Sequence, residues 1–344
     1  MRSRLLVTFL LAALALTACG SSGSDGPDDS GTPAPPSATA RRGTTRADGA
    51  ELLHRPGGKA SAQNPAFSPD GRSLLFTVFH DGYNEGAAAL RTLPFRGGAE
   101  REKPRTVLDE SDRAAVNLPG TSWHPSAGLT FTSDRAGHDE VWTLKPGSGA
   151  KPERVTEHDG DTGYLEPSFS PDGQWIAFQE SVERSGDSGG EGSIWKVRRD
   201  GTHRTRLLDG PATHTDNRQP NWSPKGDRLV LQRRERGGDW ALYVMDADGR
   251  GLRRLTGVAG EHTDPSWSPD GKSVVFSSTA GGLDLPQIFV IPATGGTPVR
   301  VTRDAKSYDG APSWSPDGKW IAFESHPGDE DRPSTLWRVA APRR

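Results

Sequence analysis

Pro265-Ser266-Trp267-Ser268-Pro269-Asp270-Gly271-Lys272-Ser273-Val274-Val275-Phe276 decides the fold, because it recurs. Pro312 to Phe323 reads P-S-W-S-P-D-G-K-W-I-A-F, Pro167 to Phe178 reads P-S-F-S-P-D-G-Q-W-I-A-F, and Pro65 to Phe76 reads P-A-F-S-P-D-G-R-S-L-L-F. Pro220 to Leu231 is looser, and Thr121 to Phe131 is the most worn and one residue shorter. The leading aromatics Phe67, Trp123, Phe169, Trp222, Trp267 and Trp314 lie 56, 46, 53, 45 and 47 residues apart, within or just above the period of a propeller blade.

Each copy dictates local structure. The aromatic closes a short strand. In Ser-Pro-Asp-Gly, proline presets φ, aspartate bonds its own backbone and glycine takes the positive-φ place. The apolar run that follows, such as Ile176-Ala177-Phe178, is a buried strand. A third strand comes next, as in Ile194-Trp195-Lys196-Val197 or Leu336-Trp337-Arg338-Val339. A turn, often Asp-Gly, leads to a fourth, as in Arg254-Leu255-Thr256. Four strands per unit, repeated radially, predict an all-β, six-bladed β-propeller of antiparallel blades. The blades are expected at 65–109, 121–156, 167–208, 220–255, 265–302 and 312–340. The last repeat lacks its fourth strand, and Glu51-Leu52-Leu53-His54 is a fourth strand with no partners of its own. Pairing the two completes the sixth blade and removes an exposed edge.

The chain begins differently. Arg2 and Arg4 precede an apolar run, Leu5 to Ala15, that is too short to span a bilayer. Leu16-Thr17-Ala18-Cys19 resembles the lipobox of bacterial lipoproteins, so residues 1–18 are expected to be a signal peptide and Cys19 the lipidated residue. Cys19 is the only cysteine, so no internal disulfide can form. Residues 19–49 are rich in Ser, Gly, Pro, Asp and Thr and are expected to be a tether, with 50–344 the propeller. The chain is expected to be exported and held by lipid on the outer (or periplasmic) side of the cell membrane, as a monomer. The 42 basic and 45 acidic residues are interspersed, giving a net charge of −3 and no argument for nucleic acid.

The W-S-P-D-G repeat, Thr132-Ser133-Asp134-Arg135-Ala136-Gly137 ahead of Val141-Trp142, and Asp248-Gly249 ahead of Arg254-Leu255-Thr256 resemble the WD-like repeats of the TolB family over almost all of residues 51–340. The resemblance implies a non-enzymatic propeller that binds protein partners, as the family's namesake binds a peptidoglycan-associated lipoprotein. It departs in two ways: a tether stands where TolB has an α/β domain, and the chain reads as lipidated. Propellers that cap prolyl oligopeptidase-like enzymes are similar too, but no hydrolase domain is expected with this one.

Candidate chemistry is sparse. Gly186-Asp187-Ser188-Gly189-Gly190 spells a serine-hydrolase pattern but sits in a Gly/Ser-rich loop without the strand and helix of a nucleophile elbow. Asp159 to Glu166 lacks the spacing of a calcium loop. Asp70, Asp172, Asp270 and Asp317 read as turn formers. No H-x-x-x-H pair suggests a metal, and no cofactor is expected. Some propeller lyases use histidines and manganese, so a glycan-active or metal-dependent lyase or hydrolase remains the alternative.

A binding role has a better footing. The loops between strands two and three, and those between blades, are longer than the turns and fall on one face, where binding residues concentrate. The residue before each opening proline (Asn64, Glu166, Gln219 and Asp264, with Gly120 and Ala311) is expected at the mouth of the central channel. Tyr164, Asp216, Asn217, His262, Tyr308 and Asp309 stand two or three residues upstream. Together they predict an acidic funnel with aromatic rims, suited to a polar or basic segment of a protein or to an envelope polymer.

Overall fold

The structure, a computed structural model, describes residues 45–95, 103–109, 113–145, 150–160, 162–182, 190–328 and 332–342. The signal peptide with Cys19, the tether up to residue 44 and most of the Gly186–Gly190 motif lie outside them. The chain opens with β1 (Glu51–His54). Blade 1 is β2 (Ser61–Phe67), β3 (Ser73–Phe79), β4 (Ala88–Pro94) and β5 (Arg105–Leu108). Blade 2 has a divided inner strand, β6 (Ala115–Val116) and β7 (Trp123–His124), then β8 (Gly128–Ser133), β9 (Glu140–Leu144) and β10 (Glu153–Arg154). Blade 3 is β11 (Thr162–Phe169), β12 (Trp175–Val182), β13 (Ser193–Arg198) and β14 (Thr205–Leu208). Blade 4 is β15 (Thr215–Trp222), β16 (Arg228–Glu235), β17 (Ala241–Asp246) and β18 (Arg253–Arg254). Blade 5 is β19 (His262–Trp267), β20 (Ser273–Ser278), β21 (Gln287–Pro292) and β22 (Val299–Arg300). Blade 6 is β23 (Ser307–Trp314), β24 (Trp320–Pro327) and β25 (Thr335–Ala340), completed by β1.

The closure is the expected one: Glu51 faces Arg338 and Leu52 faces Trp337 across the β1–β25 ladder. The blades start earlier than the repeat motif does. The five continuous inner strands begin at Ser61, Thr162, Thr215, His262 and Ser307, three to five residues before the prolines. All five end on the repeat aromatic. The ordered wall also begins before residue 50. Ala50 is buried, Asp48 Oδ2 accepts from the backbone of Arg303, and Arg46 is clamped to blade 6.

Packing is repetitive, as the sequence is. The second-strand residues Phe76, Phe131, Phe178, Phe276 and Phe323 are fully buried and fill the spaces between blades. The Ser-Pro-Asp-Gly turns form one face. In each, the serine hydroxyl donates to the aspartate (2.6 Å for Ser68 to Asp70) and accepts a backbone N–H five residues on. These hydroxyls hold Asp70, Asp172 and Asp317 below the usual carboxylate range, which supports their reading as turn formers. Blade 2 has lost this turn, and His124 replaces the serine. Its Nδ1 accepts from Ala127 N at 3.0 Å, so Nε2 carries the proton and donates to Pro171 O of the next blade, also at 3.0 Å. Among the described residues no helix is long and apolar enough to cross a membrane.

Candidate functional site

The repeat proline shapes the propeller axis. Lacking an N–H, it cannot extend the inner-strand ladder, and the register breaks there in five blades: Gln63/Ala66, Leu165/Ser168, Arg218/Asn221, Thr263/Ser266 and Gly310/Ser313. The residue before each proline takes positive φ: Asn64 55°, Glu166 54°, Gln219 53°, Asp264 54° and Ala311 48°. Non-glycine residues seldom adopt this left-handed conformation, at a cost of about 1–2 kcal/mol each. In blade 2, where no proline follows, Gly120 takes the position at 92°.

Each bulge frees a backbone N–H, and the preceding blade accepts it. Asn64 N donates to Glu324 Oε2 (2.8 Å), Glu166 N to Thr132 Oγ1 (3.1 Å) and Gln219 N to Glu166 Oε2 (2.9 Å). Asp264 N donates to Gln232 Oε1 (2.9 Å) and Ala311 N to Asp264 Oδ2 (3.3 Å). Blade 2 joins through Asn117, whose N donates to Thr77 Oγ1 (3.2 Å) and whose Nδ2 donates to Asn64 O (2.8 Å). The result is a closed ring of bonds from blade to blade around the axis.

Above this ring, towards the long loops, lies a cavity of about 130 Å³. Asn64, Glu166, Gln219, Asp264, Ala311, Tyr308 and Glu324 line it, and Tyr83 reaches in from the β3–β4 loop. Its lining includes no Lys, Arg or His. Tyr83 Oη donates to Glu324 Oε1 (3.1 Å), and its ring meets His326 at 4.9 Å and Tyr308 at 6.4 Å. Burial pushes Glu324 up to about 8 and Glu166 up to about 7, raises Asp264, and drives the Tyr83 phenol well above its ordinary value. Gln63 also lines the cavity and is buried, with neither amide atom bonded, and Gln219 Oε1 has no partner. On the turn side the channel is floored. Asn221 Nδ2 of blade 4 crosses the axis to Pro119 O of blade 2 (2.9 Å), and Thr121 Oγ1 returns a bond to Asn221 Oδ1 (2.7 Å).

Five of the ten expected residues therefore line the cavity: Asn64, Glu166, Gln219, Asp264 and Tyr308. The other five do not. Tyr164 is buried between blades against Phe178 (5.1 Å), its hydroxyl accepting from Arg204. His262 lies against Phe276 and bridges Ser278 Oγ and Val258 O, with burial lowering its pKa. Asp309 is paired with Arg46 at 2.9 Å, and burial raises it. Asn217 bonds Gly192 O, and Asp216 is bound by Arg218. Tyr164, Asn217, His262 and Asp309 all stand two residues before the bulge, so they keep the pleat and enter the blade seams. The bulge turns the residue at its own position to the axis, and residues an odd number of places before it (Gln63, Leu165, Tyr308) also reach the cavity.

The sequence reading missed Glu324, Thr132, Gln63 and Tyr83. A signal existed for the first two. The residue after the second-strand apolar run is polar in every repeat: Thr77, Thr132, Gln179, Gln232, Ser277 and Glu324. All six are buried. Among the described residues no three His, Cys, Asp or Glu are grouped as a metal ion would need. The Asp159–Glu166 stretch is divided, with Glu166 at the axis and Asp161 outside the described residues.

Fold and axis together define a six-bladed, TolB-like β-propeller. Residues 211–333 match the family model described as the TolB beta propeller domain. The uncharacterized protein Atu1656 of Agrobacterium fabrum is 29% identical over 226 residues, 61% of this chain and 67% of that one. A TolB homolog of Chlorobium luteolum is 30% identical over 165 residues, 48% of this chain and 34% of its own length. Among solved structures, TolB from Acinetobacter baumannii superposes with a TM-score of 0.55 at 18% identity, over 83% of this chain and 64% of that chain. An oligogalacturonate lyase in complex with manganese also gives 0.55, at 14% identity over 86% and 93% of the two chains. At these identities the structures share the fold, and the fold serves binders and enzymes alike.

Proposed function

We propose that the chain is a non-catalytic, exported propeller, anchored through lipid on Cys19, that receives a polar or basic segment of a protein or envelope polymer at its axial cavity. One observation carries this reading. Glu166, Asp264 and Glu324 converge on a blind cavity whose lining has no basic residue. Among the described residues none of the three makes an ion pair. A lysine, arginine or amino terminus from outside supplies what the cavity lacks, and the carboxyls gain charge as it arrives. The volume suits one side chain and not a folded domain, so the rest of the partner rests on the loop face. The lyase or hydrolase alternative shares the fold, and among the described residues no three His, Cys, Asp or Glu are grouped to hold a metal for it.

The test is capture from the native envelope by the lipidated protein and by an Asn64→Ala, Glu166→Gln, Tyr308→Ala variant. The variant should melt within a few degrees of the parent and lose the partner. Undiminished capture would place the site elsewhere. Separately, Cys19→Ser should abolish lipid labelling and release the protein from the membrane fraction.

A further inference from the structure

The opposite face of the propeller carries a second pocket, whose charged lining is two lysines and one aspartate. At the seam of blades 3 and 4, among the tight turns, is a pocket of about 500 Å³, within the usual range for small-ligand sites. Asp172, Trp175 and Lys196 of blade 3 and Lys225 and Ala247 of blade 4 line it. Lys196 Nζ donates to Ala247 O at 2.9 Å and lies 5.2 Å from the centre of the Trp175 ring. Lys225 stands exposed on the blade 4 turn.

Blade 6 shows what is unusual here. Arg338 occupies the place of Lys196 and covers Trp320 as Lys196 covers Trp175. Arg338 faces Glu51 across its ladder and pairs with it at 2.6 Å. Lys196 faces Thr205 instead. Among the described residues no carboxylate pairs with Lys196 or Lys225. The stretch of sequence that carries both lysines is itself basic. Residues 196–254 hold 14 Lys and Arg against 8 Asp and Glu, a local +6 in a chain whose net charge is −3.

We propose that this seam pocket binds an acidic saccharide, its carboxylate or phosphate between Lys196 and Lys225 and its ring beside Trp175. Asp172 selects the saccharide over a bare anion. Its Oδ1 is taken by Ser170 Oγ and Gln174 N, and Oδ2 of this exposed residue is left as the acceptor for sugar hydroxyls. A pocket built only to hold an anion gains nothing from a carboxylate. The site lies on the other face of the molecule from the axial cavity, and the two are independent.

Calorimetric titration of the whole chain tests this with four probes: trigalacturonate, glucose 6-phosphate, neutral maltotriose and inorganic phosphate. Saturable binding of an acidic sugar is expected, weakening with salt. Whichever acidic sugar binds shows whether carboxylate or phosphate is the recognised group. Lys225→Gln, a surface change that leaves the fold intact, should weaken it about fivefold, and Lys196→Gln at least as much. Glu166→Gln at the axis should leave it unchanged. The proposal fails if neither acidic sugar binds by about 10 mM, or if Lys225→Gln binds as the parent does. It fails also if maltotriose binds equally well, or if inorganic phosphate binds as tightly as the sugars.

Discussion

Blades 2 and 6 depart from the regular repeat in opposite ways. Blade 6 is assembled from both ends of the chain, yet its strands, turn and bulge are all intact. Blade 2 is continuous in sequence, yet its inner strand is split and its turn has lost the Ser-Pro-Asp-Gly sequence. Where the covalent chain does not join the strands of a blade, charge does. Arg338 pairs with Glu51, Arg46 pairs with Asp309, and the Arg46 guanidinium lies 4.1 Å from the Trp337 ring centre. Where the chain is continuous, regularity is given up. Residues 117–121 lean into the axis and floor the cavity. The seam needs fidelity to the repeat, whereas the blade beyond the first could lose it and gain a second task.

The largest expected effect breaks the seam. Deleting residues 1–44 should leave the melting transition where it is. Deleting 1–58 should abolish cooperative melting, because it removes β1, the buried Leu52 and Leu53, and the cover on the β25 edge. Equal melting of the two truncations would mean that closure does not depend on β1.

Next comes Arg46→Ala. The Asp309 side chain is fully buried, so losing its cation should cost about 3 kcal/mol in denaturant unfolding. Adding Asp309→Asn should recover a good part of this. If the double variant is no more stable than the single one, the cation–π contact matters more than the charge.

Blade 2 should respond through Gly120→Ala. A Cβ there would lie 2.8 Å from Ser266 Oγ and 2.9 Å from Asn221 Oδ1, at a φ of +92°. The expected loss is about 2 kcal/mol. If stability were unchanged, the floor would be softer than its bonds suggest.

The remaining effect is on pH dependence. Glu324 is raised from 4.5 to about 8, so the folded state holds this proton more tightly than the unfolded chain does. Its contribution is present in full below about 4.5 and is lost as pH rises through about 8. The melting temperature should therefore fall between those values, with Glu166 adding to the same slope. Glu324→Gln should flatten that fall and raise stability on the alkaline side. By the same linkage, a cationic segment that binds the charged carboxyls should bind more tightly as pH rises across this window.

The period of the repeat was enough to predict blade number and closure, because each depends on near neighbours or on counting. Proline beside Asn64, Glu166, Gln219 and Asp264 announces the break in the ladder by its missing N–H. What was hidden depends on distance. Tyr83 comes from a loop outside the repeat and finds Glu324 across 241 residues. Asn221 meets Pro119 across the axis, which no local pattern encodes. Tyr164 and His262 were misplaced for a different reason: proximity in sequence stood in for direction, and in a strand direction alternates.

The ring of bulge bonds bears on how such a molecule could change in evolution. In most blades the bulge presents one donor backwards, and a side chain of the same blade presents one acceptor forwards. Such a unit brings both halves of the joint it needs. Duplicating or deleting one leaves no stranded amide on either neighbour, only a ring of different circumference. Blade number is then free to drift by whole units while the axis stays satisfied at every step.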